Sequence, residues 1–369
     1  MQIHPSDLLL KEAFQERNGS RKVIEHVDSC SWCRQRLKTL VGHHLNGKPP
    51  DYGPILDRTF RSLQRWQAEY ARERAEAPRL FSSLLGMPPQ RRELVVCNHP
   101  RFQTWGLLEI LLSESCEQIF IDAARSEELA NLGLKLAESL DRAHYGAERV
   151  EDLRARTWAF IGNSRRAQAN FKGAEQAFTR SRAHLLAGTG DVLERASVLR
   201  LKRSLYTYQG RFEDALRLSQ KLLILFEEAG DTHGIANSLV GIYLVYQTKG
   251  EASQGVPFLR QAIPMIDRSL DPRALLCAWN NLIDALSIDK HSLLEAQALL
   301  ARARPLYRRF PQPSFQGRLK WMEARIACGA GRFSEARELL GAAREELLAA
   351  KLTGDASRAY DEIQELPAK

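Results

Sequence analysis

A small residue recurs through the C-terminal two thirds of the chain at Ala174, Ala215, Gly255, Ala296 and Ala336, in steps of 41, 40, 41 and 40 residues. A single compact core has no reason to repeat itself at a fixed spacing, whereas a stack of equivalent units does. Four positions later a bulky apolar residue follows in four of the five units, namely Phe178, Leu259, Leu300 and Leu340. The second unit has Ser219 there and its bulky residue, Leu218, one position earlier. Seven positions after each small residue stand Ser181, Leu222, Ala262, Ala303 and Ala343. Intervals of four and seven fall on one face of a helix, so these positions predict a helix in every unit that buries the same stripe.

The breakers repeat as well. Three of these helices are preceded by a similar turn, Asn170-Phe171-Lys172-Gly173, Gly210-Arg211-Phe212-Glu213 and Gly331-Arg332-Phe333-Ser334. A second break separates the units at Gly190-Asp191, Gly230-Asp231, Asp271-Pro272, Pro311 to Pro313, and Gly354-Asp355. Aspartate is a good helix N-cap and a preceding glycine suits a helix C-terminus. Each unit therefore reads as helix, short turn, helix, longer turn. Leu, Ala, Arg and Glu dominate and clusters of Val, Ile and Thr are rare, which predicts an all-α chain. With 369 residues, an extended array accommodates what one helical core cannot.

The Gly-Arg-Phe-x-x-Ala segments at 210–215 and 331–336 carry a resemblance to the tetratricopeptide repeat, over roughly residues 150–350. The period exceeds that repeat's usual length, which implies longer helices. An atypical earlier unit is expected from near Trp105 through Ala130, Leu134 and Ala137. In the family that the array resembles, the first helix of each unit lines a groove that binds peptides. Carried onto this register, the resemblance places Arg156, Asn163, Arg166, Arg200, Asn237, Asn281, Arg318 and Arg325 near the inner face, with Tyr208 and Trp321 beside them. Guanidinium and amide groups suit carboxylates and extended backbones, so the expected ligand is an acidic or C-terminal peptide.

Near the N-terminus the chain reads His26-Val27-Asp28-Ser29-Cys30-Ser31-Trp32-Cys33. In helical spacing His26 and Cys30 lie one turn apart, and Cys33 lies on the same side. Three borderline or soft donors thus converge, and zinc takes four in a tetrahedron. His4 is the preferred fourth ligand, since it precedes a helix start at Pro5-Ser6-Asp7 and an antiparallel helix pair returns that start to the His26 end. His43 and His44 compete with it. A redox pair of Cys30 and Cys33 is the other reading, but such motifs belong beside a strand, and none is expected here.

His4 with Pro5-Ser6-Asp7, then His26-x3-Cys30-x2-Cys33 followed by Arg34 and Leu37, resembles the zinc-containing anti-sigma-factor domain of bacteria, over about residues 1–42. The resemblance implies a small helical module, one structural zinc on His4, His26, Cys30 and Cys33, and a sigma factor as partner. Two features depart from that family. The His4 to His26 gap holds 21 residues, slightly short, and the usual anchor or sensor domain is missing from the rest of the chain.

The expected organisation is a zinc module over 1–42, a linker over 43–54 rich in glycine and proline, a helical connector over 55–100 and a repeat array over 101–369. Leu56, Phe60, Leu63, Trp66 and Tyr70 give the connector an apolar stripe suited to capping the array. No phosphate-binding loop, His-Glu-x2-His or Gly-x-Ser-x-Gly motif occurs, and the acidic residues form no paired constellation, so a non-catalytic protein is expected. The N-terminus lacks a signal-peptide pattern and no apolar run approaches a membrane span, which places the chain in the cytoplasm, without a membrane partner. The formal charge of +8 permits an acidic protein or peptide partner. Residues 1–42 carry seven Lys and Arg against five Asp and Glu, too weak an excess to favour nucleic acid.

Overall fold

The computed structural model describes residues 4–7, 9–10, 23, 26–27, 30–42, 53–119, 121–288 and 291–367. The linker histidines His43 and His44, and the break expected at Asn18-Gly19-Ser20, lie outside them. Among the described residues the secondary structure is helical and contains no strand. The chain divides into two compact units, Met1–Glu69 and Tyr70–Lys369.

In the first unit, Asp7, Leu9 and Leu10 are helical, as are Val23, His26 and Val27. Helix α1 spans Ser31–Gly42, and α2, Gly53–Leu85, begins in this unit and ends in the second. Leu10, Cys33 and Leu37 are buried, at 1%, 0% and 7% exposure. Of the connector's expected apolar stripe, Trp66 is exposed and Tyr70, in the second unit, packs its ring 5.2 Å from that of Trp105.

The second unit is a stack of helix pairs. After α3 (Pro89–Asn98) come α4 (Trp105–Gln118) and α5 (Ala123–Ser139), which form the earlier pair expected from Trp105. Ala130, Leu134 and Ala137 on α5 are all buried. A short α6 (Arg142–Tyr145) leads into five regular pairs. Their first helices are α7 (Ala147–Ala167), α9 (Val192–Tyr208), α11 (Thr232–Lys249), α13 (Pro272–Ser287) and α15 (Pro313–Gly329). Their second helices are α8 (Phe171–Leu186), α10 (Phe212–Ala229), α12 (Ala252–Ala262), α14 (Leu293–Tyr307) and α16 (Phe333–Ala349). Helix α17 (Thr353–Glu365) follows and buries Ala356 and Ala359.

The stripe read from the sequence is the one that packs. Ala174, Ala215, Ala296 and Ala336 are fully buried, as are Ser181, Leu222, Ala262, Ala303 and Ala343. Small residues bring the paired helices together: a Cβ on Gly255 would lie 2.8 Å from the Tyr243 ring and 3.1 Å from its Cα. The second unit corrects one expectation. Ser219 is its fully buried residue and Leu218 is only half-buried, so the helix keeps its register and closes the position with a hydroxyl bonded to the Ala215 carbonyl at 3.0 Å.

Most of the caps follow the sequence; at Gly354-Asp355 the helix instead starts at Thr353 with Leu352 at its N-cap, and Asp355 lies inside the first turn, where it pairs with Arg318 and Arg358. Asp191, Asp231 and Asp271 each accept a hydrogen bond from an amide of the first turn, at 2.7 to 2.8 Å. Asn170 caps α8 in the same way at 3.0 Å. The chain turns through the left-handed region at Gly210, Gly250 and Gly331 between paired helices, and Ala169 takes that place in the first pair with φ 57°. No helix among the described residues is long and apolar enough to cross a membrane.

Candidate functional site

Two regions concentrate polar chemistry, one in each unit. In the first, the Cys30 amide donates to the His26 carbonyl at 2.9 Å, which places these side chains one helical turn apart. The Arg34 amide donates to the Cys30 carbonyl at 3.0 Å, so Cys30 stands at the start of α1 and Cys33 in its first turn. The Ser6 carbonyl accepts from the Leu10 amide at 3.0 Å and opens the helix that His4 precedes. Arg36 reaches back to Asp7 at 2.6 Å and ties that start to α1.

The consequence is a cluster. His4 Nδ1 lies 3.3 Å from His26 Nε2, 3.3 Å from Cys33 Sγ and 3.7 Å from Cys30 Sγ. The four ligand atoms all fall within 4.8 Å of one another. Donors about 2.0–2.3 Å from a central zinc stand roughly 3.3–3.8 Å apart in a tetrahedron, so the three spacings fit that ion. Two thiols and two imidazoles are also the donor chemistry that a zinc ion takes. The Cys33 amide, hydrogen-bonded to the Cys30 sulfur, holds the Cys30 thiol below its ordinary range, while burial pushes Cys33 up. Both cysteines are free thiols. Trp32 flanks the cluster: its ring is 4.6 Å from that of His4, Arg36 lies over it at 4.7 Å, and it remains 51% exposed.

In the second unit, a cavity of about 1000 Å³ opens along the first helices α9, α11, α13 and α15 and the start of α17. Asn281, Arg318 and Arg325 line it, with Tyr208 and Trp321. Arg325 is held between Asp284 and Glu362, Arg318 reaches Asp355 at 3.4 Å, and Trp321 Nε1 donates to Glu362 at 2.9 Å. The other sequence-predicted residues lie off this cavity. Arg156 pairs with Glu194, its Nε at 3.0 Å from the carboxylate. Asn163 accepts from Arg166 at 2.9 Å, and Arg166 stacks on Tyr208 at 4.4 Å. Asn237 contacts His233 at 2.8 Å, and Arg200 is exposed.

The sequence reading missed the most buried cation that lines the cavity. Arg203 lines the cavity with only 7% of its surface exposed, and its Nη1 is buried without a hydrogen-bond partner. Burial, with the nearby charge of Arg200, pushes its guanidinium down to about 10, so it stays a cation at neutral pH. One signal was available. Arg203 stands twelve residues before Ala215, a place held by Gly162, Tyr243, Asp284 and Ala324 in the other units, and an arginine there is out of pattern. Tyr243 is itself pushed up to about 12 by burial and donates to the Asn281 carbonyl at 3.0 Å.

No family model matches the chain, and no curated protein matches it. Among solved structures it is similar to BtubC (BKLC) from P. vanneervenii, at 17% identity and a TM-score of 0.47, over 63% of this chain and 91% of that one. It is also similar to a signal transduction ATPase with numerous domains and a tetratricopeptide repeat sensor, from Pyrococcus horikoshii, at 13% identity and a TM-score of 0.46. That match covers 98% of this chain, which spans about half (53%) of the length of the ATPase.

Proposed function

We propose that the protein is a non-catalytic regulatory binding protein. Its N-terminal module folds around one structural zinc on His4, His26, Cys30 and Cys33 and engages a protein partner, while the repeats bind a second protein or an acidic peptide. The convergence of four donor atoms within 4.8 Å carries this reading. A zinc ion with four protein ligands keeps no open position for water, so it supplies rigidity and no hydrolytic chemistry. Following the family resemblance, the module's partner is a sigma factor, met in the cytoplasm where the thiols stay reduced. Trp32, exposed beside the cluster, is suited to such a contact because a large aromatic at an interface contributes more than its share of binding energy.

Two measurements test this together. The purified full-length protein is analysed for metal, and pull-downs with the sigma factors of its host are compared before and after chelation and with the Cys30→Ser, Cys33→Ser double variant. One zinc per chain and a partner lost with the metal is the expected result. Zinc with a partner that stays bound moves the function to the repeats, with the module as a staple for an assembly scaffold. Absence of metal from protein purified without chelators overturns the site.

A further inference from the structure

Most arginines of the repeat unit that approach their neighbours are matched by carboxylates. Arg156 has Glu194, Arg165 has Glu127, Arg260 has Glu295, and within the cavity Arg318, Arg325 and Arg358 share Asp284, Asp355 and Glu362. Arg203 breaks this rule as the most buried arginine of the cavity. The charge that acts on it is a second cation, Arg200, and no carboxylate among the described residues approaches it. Its head lies over the backbone of α11, where a Cβ on Gly241 would fall 2.0 Å from Nη1 and 2.3 Å from Nη2. Gly241 thus leaves the room that the guanidinium occupies. A guanidinium taken out of water with nothing to receive its donors is costly, and such groups mark places completed by something else.

The cavity says what that is. Beyond Arg203 the cations that line it have carboxylates, Arg273 through Glu117 at 3.9 Å, so the lining presents one buried bare charge, with the exposed Arg200 nearby, rather than a row of them. A nucleic-acid backbone or a polyphosphate would need the row. The remaining lining offers amides, from Gln247, Asn280 and Asn281, and aromatic rings, from Tyr208, Phe315 and Trp321. Such groups hold an extended peptide and bury its side chains. We propose that Arg203 anchors the carboxylate of an acidic side chain in an extended segment of a partner protein lying along this cavity, with Gly241 kept small so that the guanidinium can face it. This deepens the peptide-binding part of the proposed function and rests on it.

The test uses the full-length protein and a short fluorescein-labelled peptide alternating glutamate and alanine, amidated at its C-terminus, read by anisotropy. The glutamine counterpart, tripolyphosphate and an oligothymidylate serve as comparisons. The glutamate peptide is expected to bind and the glutamine one to fail. Arg203→Met should weaken binding by at least about tenfold, as loss of one partner of a buried charge pair does. It should do so without lowering the unfolding midpoint of the free protein, because an unmatched buried charge has been removed; a structural arginine would lower it. Gly241→Ala, which displaces the guanidinium, should weaken binding likewise. The proposal falls if glutamate and glutamine peptides bind alike or not at all, if Arg203→Met binds as the wild type does, or if Arg203 governs binding of tripolyphosphate or oligothymidylate but not of the peptide. Trp321→Ala and Asn281→Ala separate the two levels. If they weaken peptide binding and Arg203→Met does not, the cavity keeps its peptide and only the anchor fails. If none of the three matters, the peptide-binding reading fails with it.

Discussion

Replacing Cys33 by serine should unfold α1 and leave the repeat unit intact. Cys33 is fully buried, and the other buried apolar side chains described in its unit are Leu10 and Leu37. Two leucines contribute about 6 kcal/mol at most. Ordering the 12 residues of α1 costs about 18 kcal/mol at roughly 1.5 kcal/mol per residue. The deficit, near 12 kcal/mol by the same reckoning, is of the size that binding a structural zinc supplies, about 10–16 kcal/mol. Serine keeps the side chain's size but offers a hard oxygen in place of a thiolate, so the ion should be lost. Hydrogen exchange read by mass spectrometry, with metal analysis on the same sample, gives the answer. Amides of 31–42 should lose protection as the metal content falls from one per chain to none, while those of α7 to α16 keep theirs. Protection of 31–42 that survives complete metal loss would refute the reasoning, because the helix would then be held by packing alone.

Other expectations follow from single positions in the repeat unit. Ala169→Gly should stabilise the array by about 0.5–1 kcal/mol in chemical denaturation, since an alanine at φ 57° is strained where its counterparts are glycines. Asp231→Ala removes the hydrogen bond to the Gly234 amide and should cost about 1 kcal/mol in the same assay. Burial alone would raise the Glu151 carboxyl, but the His184 hydrogen bond and the charges of Arg154 and Arg142 outweigh it and hold its pKa below the ordinary value. Its contribution to stability is therefore present above the unfolded pKa near about 4.3 and disappears as the pH falls through the folded one. Glu151→Gln should flatten that part of a plot of unfolding midpoint against pH, and an unchanged slope would count against the pairing.

The period of forty was legible because packing and chain geometry act on the same residues. Ala174, Ala215 and their equivalents are small where two helices meet, and Asp191, Asp231 and Asp271 cap helices through contacts two or three residues away. Local causes leave local marks. The cluster of four donors was legible for a related reason, since His26, Cys30 and Cys33 lie within about two helical turns and only His4 had to be brought from outside. The cavity was harder to read. Arg156 and Arg325 look like free cations in sequence, yet each is matched by a carboxylate on the next unit, Glu194 or Glu362. Arg203 was hard to read as a site because Leu201-Lys202-Arg203 looks like part of a solvated helix face, and its register position was its one mark. Only the approach of α11 at Gly241 buries it.

The polar links between units carry a further meaning. Arg156 to Glu194, Gln247 to Asp284, Arg318 to Asp355 and Arg325 to Glu362 each join residues one unit apart. Arg156 and Arg318 both stand eighteen residues before their unit's small residue and both reach the third residue of the next helix, Glu194 on α9 or Asp355 on α17, so this joint recurs, while the other two pairs use different positions. The joints are not present at every seam. The apolar stripe would let any unit stack on any other, but a neighbour lacking the matching group would leave one of these arginines or carboxylates alone in its seam. The stripe makes the units stack, and the polar joints make their order part of the fold.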